Sequence, residues 1–107
     1  MRSVYAGRIL QKMAARPEIF AGVTGFQWDE GNSEKNWHRH RVTQAEAEQV
    51  FFNRPVLVSG APKHSAAEVR YFALGRTDAG RELAIAFTIR GSSLRVISAR
   101  PMNRRER

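Results

Sequence analysis

The sequence predicts one small α+β domain: a small antiparallel β-sheet with helices packed on one side. Three observations carry this. The run from Glu68 to Arg100, EVRYFALGRTDAGRELAIAFTIRGSSLRVISAR, reads as three consecutive strands joined by two short glycine-containing turns. Upstream, Thr43-Gln44-Ala45-Glu46 has the spacing of a capping box, in which Thr and Glu side chains satisfy two orphan backbone donors at a helix start. The chain has 107 residues, 42% of them hydrophobic, which is enough for one modest core and not for two.

Taken in order, Ser3 to Arg16 reads as a helix with Val4, Ile9, Leu10 and Met13 on a loose apolar stripe, stopped by Pro17. Residues 1–21 are read as a helical extension and residues 22–107 as the domain proper. Val23 to Trp28 is a short strand candidate. Asp29 to Ser33 supplies a turn and a helix cap, and Ser33 to His40 reads as a short polar helix with Trp37 as its apolar anchor. The helix opened by Thr43 runs to about Asn53, with Ala47, Val50 and Phe51 facing the core, and Pro55 ends it. Val56 to Val58 is a short strand, and Gly60 to Ala67 a loop containing His64. In the meander, strands are expected over Glu68–Gly75, Glu82–Thr88 and Leu94–Ala99. In the middle strand Leu83, Ile85 and Phe87 alternate with Ala84 and Ala86, the two-residue period of a sheet with one buried face. The tail, PMNRRER, carries Arg104 and Arg105.

The charge balance points to a polyanionic partner. The net charge is +8, the isoelectric point is near 11.3, and 15 of the 18 basic residues are arginine. A guanidinium offers phosphate a planar fork of donors and stays charged at any working pH. In a meander, Arg76, Arg81 and Arg100 fall on one rim of the sheet, and Glu68, Arg70, Arg90 and Arg95 on the other. Taken singly, such arginines are ordinary edge charges; the set lacks the acids that would balance it.

Several chemistries are absent from the sequence. There is no cysteine, so no disulfide or thiolate metal site. His38 and His40 are two apart on a helix and point away from one another, so no metal site is expected. No phosphate-loop, dinucleotide-binding or nucleophile-elbow motif occurs, and no cofactor is expected. No apolar run approaches a membrane span, no secretory signal is evident at the N-terminus, and a cytoplasmic protein is expected. RNA cleavage by its own 2′-hydroxyl needs only a base, an acid and a cation for the phosphoryl oxygens. Arginines serve the last role, and His40, His64 or Glu68 the first two. Tyr71 is a candidate for hydrogen bonding or stacking, and Trp28 for stacking on an unpaired base.

Four motifs in order resemble one family. They are Trp28-Asp29-Glu30, the Asn36-x-x-Arg39-His40-x-Val42 segment, Ala73-Leu74-Gly75-Arg76 and Arg95 to Arg100, and they resemble BrnT toxins of type II toxin–antitoxin systems. The likeness covers about four-fifths of the chain, from Phe26 to the end. It departs where Asn32 replaces a usual lysine, Arg41 a glycine and Ala61 an aspartate, and where the tail stops early. The resemblance implies a RelE-like fold and a ribonuclease that blocks translation. It also implies neutralisation by a BrnA antitoxin, whose DNA-binding domain lets the complex repress its own operon; contact with DNA would then be indirect. The positions carried over are Trp28, His40, Glu68, Arg70, Arg76, Arg95 and Arg100. The expected catalytic set is Arg76, Arg100, His40, Glu68 and Arg70. The expected RNA contacts are Arg95, Arg81, Trp28, Tyr71, Arg104 and Arg105. The competing reading is a non-catalytic basic module on RNA or the ribosome, or a weakened toxin relative.

Overall fold

A computed structural model of the chain describes residues 20–53, 57–60 and 69–107. The expected helix over Ser3–Arg16, most of the 1–21 extension and the segment containing His64 and Glu68 lie outside the described residues. Seven elements follow in order: β1 (Gly25–Gln27), α1 (Glu30–His40), α2 (Gln44–Phe52), β2 (Leu57–Gly60), β3 (Arg70–Arg76), β4 (Glu82–Arg90) and β5 (Ser93–Pro101). The strands form one sheet in the order β1-β5-β4-β3-β2.

The meander forms with the expected alternation. β3, β4 and β5 pair antiparallel, with Arg76 opposite Glu82, Ala84 opposite Arg100 and Thr88 opposite both Arg70 and Arg95. The two turns need left-handed backbone at Gly80 (φ 87°) and Gly91 (φ 59°), a conformation glycine adopts without steric cost. A register shift at Ala86/Phe87 leaves Ile97 as the extra residue of a bulge in β5. β2 joins β3 antiparallel, whereas β1 joins β5 in parallel, so the sheet is mixed at that edge.

One face of the sheet is the core. Leu83, Ile85, Phe87, Leu94, Val96, Ala73 and Ala99 are buried on it, together with Ala47, Val50, Phe51 and Phe52 of α2. Phe87 sits at its centre, 5.1 Å edge-to-face from Phe51 and stacked with Phe20 and Tyr71 at 5.9 and 5.5 Å. Such ring pairs contribute roughly 0.5–1.5 kcal/mol each beyond their buried area. Thr43 and Glu46 cap α2 reciprocally, as their spacing predicts.

Helix α1 is held by polar anchors. Asp29 caps it in a box with Asn32, so the helix starts at Glu30, three residues earlier than expected. Beyond Gln27, β1 no longer pairs β5, and the exposed edge would strand its backbone groups. Asn32 and Asn36, both buried, fill that gap. Asn32 Nδ2 donates to the carbonyls of Val96 (2.9 Å) and Gln27 (3.0 Å), and Asn36 Oδ1 accepts from the Ala99 amide (3.0 Å). Trp37, the expected anchor, instead projects outward and is 44% exposed. The helix therefore docks on β5 by completing its edge rather than by burying an aromatic ring. The same bonds run α1 along β5, with its C-terminal end beside Arg100.

Candidate functional site

The strand register divides the arginines into two groups. Arg70 and Arg76 stand at opposite ends of β3, six residues and therefore about 20 Å apart. Arg76 and Arg100 share the other end. They also share the face turned away from the core, because Arg76 opposes Glu82, Arg100 opposes Ala84, and Glu82 and Ala84 lie two apart on β4. The small side chains of Ala84 and Ala86 let Arg100 lean across β4, where its guanidinium lies 5.7 Å from the Phe72 ring centroid.

The C-terminal turn closes on this end. Asn103 and Glu106 cap one another reciprocally, side chain to backbone amide, at 2.9 and 3.1 Å. Glu106 then presents both carboxylate oxygens to Arg100, Oε1 to Nη1 and Oε2 to Nη2, each at 2.8 Å. This is a bidentate charge-assisted pair, the strongest geometry a guanidinium offers. It holds the Glu106 carboxyl below its ordinary value and raises the Arg100 guanidinium above its own. Arg76 is held more loosely, 3.3 Å from Glu82, which also meets Arg107 at 3.5 Å. The Arg76 side chain is 60% exposed, and a pair of that kind contributes about 0–1 kcal/mol. A cleft of about 230 Å³ lies between Arg76, Glu82 and the tail residues Met102, Glu106 and Arg107.

A pH prediction follows from the Glu106 pair. Because its folded value is depressed, its stabilising contribution is complete above the ordinary glutamate range and is lost as pH falls through the folded value. The Glu106 carboxyl should titrate below 4.5 by NMR, with the tail turn loosening through the same transition. A midpoint at or above 4.5 is the result that contradicts it.

Arg81 works on the core-facing side of the same end. It donates to the His40 carbonyl (Nη2, 3.0 Å) and the Arg41 carbonyl (Nη1, 2.8 Å), and it pairs with Glu46 at 3.1 Å. It thereby caps the last carbonyls of α1 and ties them to the start of α2. Burial raises the Glu46 carboxyl, but the Thr43 amide and Arg81 outweigh it, and the net shift is downward. Among the described residues no group of three or more His, Asp or Glu side chains is placed to hold a metal ion. No described helix is long and apolar enough to cross a membrane.

Residues 28–106 match the model of a family described as the ribonuclease toxin BrnT of type II toxin–antitoxin systems. The chain belongs to this BrnT family. Its structure is similar to the 1.1 Å crystal structure of the Brucella abortus ribonuclease toxin BrnT, with a TM-score of 0.52 and 26% identity over 74% of this chain and 96% of that one. No curated protein matches the chain.

Within this BrnT chain the expected site residues fall into three sets. Arg76 and Arg100 share one end of the sheet, and Arg81 ties the α1 terminus carrying His40 to that end. Arg104 and Arg105 lie exposed on the tail turn there. Arg70 and Arg95 belong to the far end, where Arg95 is drawn into the α1 cap by Asp29 at 2.9 Å, lowering the Asp29 carboxyl. The two expected aromatic platforms face inward. Trp28 is buried with its indole N–H on Glu48 at 2.8 Å, and Tyr71 stacks on Phe87. Trp28 therefore offers no ring face to a base, because its hydrogen bond and its burial both commit it to the core. Glu68 lies outside the described residues. Sequence reasoning missed Glu106, although Asn103-x-x-Glu106 carries a capping-box spacing that could have revealed it.

Proposed function

We propose that the chain is a metal-independent endoribonuclease whose site lies at the Arg76–Arg100 end of the sheet. The observation that supports this is the Arg100 fork closed on the Glu106 carboxylate, with Arg76 on the same face. A carboxylate's two oxygens stand in for two non-bridging oxygens of a phosphodiester. In the proposed reaction an RNA phosphate takes the place of Glu106, and Arg100 and Arg76 hydrogen-bond its oxygens. A base takes the 2′-hydroxyl proton while O2′ bonds to phosphorus. The bond from phosphorus to O5′ breaks, and an acid protonates O5′. The products are a 2′,3′-cyclic phosphate and a free 5′-hydroxyl. His40, on the α1 terminus that Arg81 ties to this end, is the first candidate for acid or base and Glu68 the second. Arg70 would meet the RNA further along the strand.

As a toxin of this type the chain would act in the cytoplasm and inhibit translation by removing RNA. A BrnA-type antitoxin with a DNA-binding domain would neutralise it, and DNA would be contacted only through that complex. The test is incubation of the purified chain, freed of antitoxin, with single-stranded RNA in excess EDTA. Fragments ending in a cyclic phosphate are expected. Binding without cleavage, unchanged by added ribosomes, would instead support a basic binding module. Cleavage that appears only on adding magnesium would overturn the metal-independent mechanism.

A further inference from the structure

Trp37 and Arg41, at the end of α1, have properties that the fold does not require. Trp37 and Val69 are the exposed large hydrophobic residues among those described. The Arg41 guanidinium lies over the Trp37 ring, 5.1 Å from its centroid. Among the described residues Arg41 is also the one non-glycine residue with left-handed backbone (φ 54°, ψ 41°), at a helix C-cap where glycine is the unstrained choice. The strain is locked in by the Arg41 amide, which donates to the Trp37 carbonyl, and by Arg81, which holds the Arg41 carbonyl. The left-handed backbone serves the helix end, since it lets the Arg41 and Val42 amides return to the Trp37 and Asn36 carbonyls. What the helix end does not require is the arginine side chain, which stands where glycine would cap without strain and lies on an exposed indole.

The surroundings define the ligand chemistry. Trp37 to Arg41 reads Trp-His-Arg-His-Arg, and among the described residues neither Arg39 nor Arg41 forms an ion pair. An exposed indole beside unneutralised guanidinium groups combines a stacking face for a base with donors for the adjoining phosphates. Through Arg81 this helix end is continuous with the sheet end that carries Arg76 and Arg100. We infer that Trp37 and Arg41 form a docking site for an unpaired RNA base, with Arg39 and Arg41 on the flanking phosphates, outside the phosphate-holding pair. This rests on the reading of RNA as substrate.

The probe is a 2′-O-methyl octanucleotide, which lacks the attacking hydroxyl and survives intact. Its binding is followed in every variant by fluorescence anisotropy of a fluorescein label on the oligonucleotide, and in the wild type also by quenching of tryptophan fluorescence, with Trp37 as the accessible indole because Trp28 is buried. Quenching is expected in the wild type. Trp37→Ala should weaken binding roughly tenfold or more, as loss of one base–aromatic stack does, and Trp37→Phe should restore most of it. Arg41→Gly should weaken binding by roughly two- to fivefold without lowering the melting temperature, since glycine relieves the left-handed backbone. If the wild type binds and Trp37→Ala binds equally well, the docking site is refuted while the ribonuclease reading stands. If Trp37→Ala spares RNA binding but abolishes capture by a BrnA-type antitoxin, the surface belongs to a protein and the inference falls. If the wild type binds no RNA, both readings fall.

Discussion

Replacing Arg76 and Arg100 together with alanine should abolish RNA cleavage, with a loss of at least about a hundredfold, since one preorganised donor on a developing oxyanion is worth roughly 10²–10³ in rate. The two residues differ in how they are held, which makes the single variants informative. Arg76 is mostly exposed and loosely paired with Glu82, so Arg76→Ala should leave stability almost unchanged. Arg100 carries the bidentate pair with Glu106, so Arg100→Ala also frees the tail turn. The core, centred on Phe87, touches neither residue, and both variants should keep a cooperative unfolding transition. Arg100→Lys separates charge from geometry: it keeps the cation but loses the planar fork. Recovery of only a small part of the activity is expected from it. A double variant that cleaves RNA within threefold of wild type while remaining folded would remove the site from this end of the sheet.

The meander and α2 were legible because their signals are local. A two-residue alternation, a glycine at each turn and a reciprocal cap do not depend on what lies across the domain. The anchoring of α1 was not legible for the opposite reason. Asn32 and Asn36 matter because β1 stops at Gln27 and leaves part of the β5 edge unpaired, a relation between residues more than sixty positions apart. Without that edge, two asparagines in a polar helix look like surface, and the single tryptophan looks like the anchor. The tryptophans illustrate the same limit. Trp28 and Trp37 cannot be assigned to core and surface by composition; the partner of Trp28 is Glu48, a buried acid on α2. The arginine pairings were partly legible. A meander places Arg76 and Arg100 at one end by topology alone, but it does not reveal that Glu106 returns to close the fork.

Substitution at Asn32 is expected to be the most destabilising single change outside the aromatic core. The side chain is 2% exposed and makes three bonds that span three elements. It accepts from the Asp29 amide at 2.7 Å and donates to the Gln27 and Val96 carbonyls at 3.0 and 2.9 Å. Asn32→Ala leaves these groups unsatisfied where water has little access, and each orphaned group costs about 1–3 kcal/mol. A net loss of about 3 kcal/mol is expected, less than the simple sum because local relaxation readmits some water. Asn36→Ala orphans the Ala99 amide and one helix contact, and about 2 kcal/mol is expected on the same scale. Asn32→Asp, nearly isosteric, should be at least as damaging as alanine, because it places a carboxylate against two carbonyl oxygens and supplies no donor. Denaturant unfolding decides the matter: the midpoint should fall with an unchanged slope, as for a loss of stability without a change in the surface exposed. A loss under about 0.5 kcal/mol for Asn32→Ala would mean that the β5 edge is satisfied in some other way. The position bears on function as well, because α1 carries Trp37, His40 and Arg41 to the Arg100 end only while its asparagines hold it along β5. Asn32 variants should therefore weaken RNA binding in proportion to the fraction unfolded, whereas Trp37→Ala should weaken it with no loss of stability.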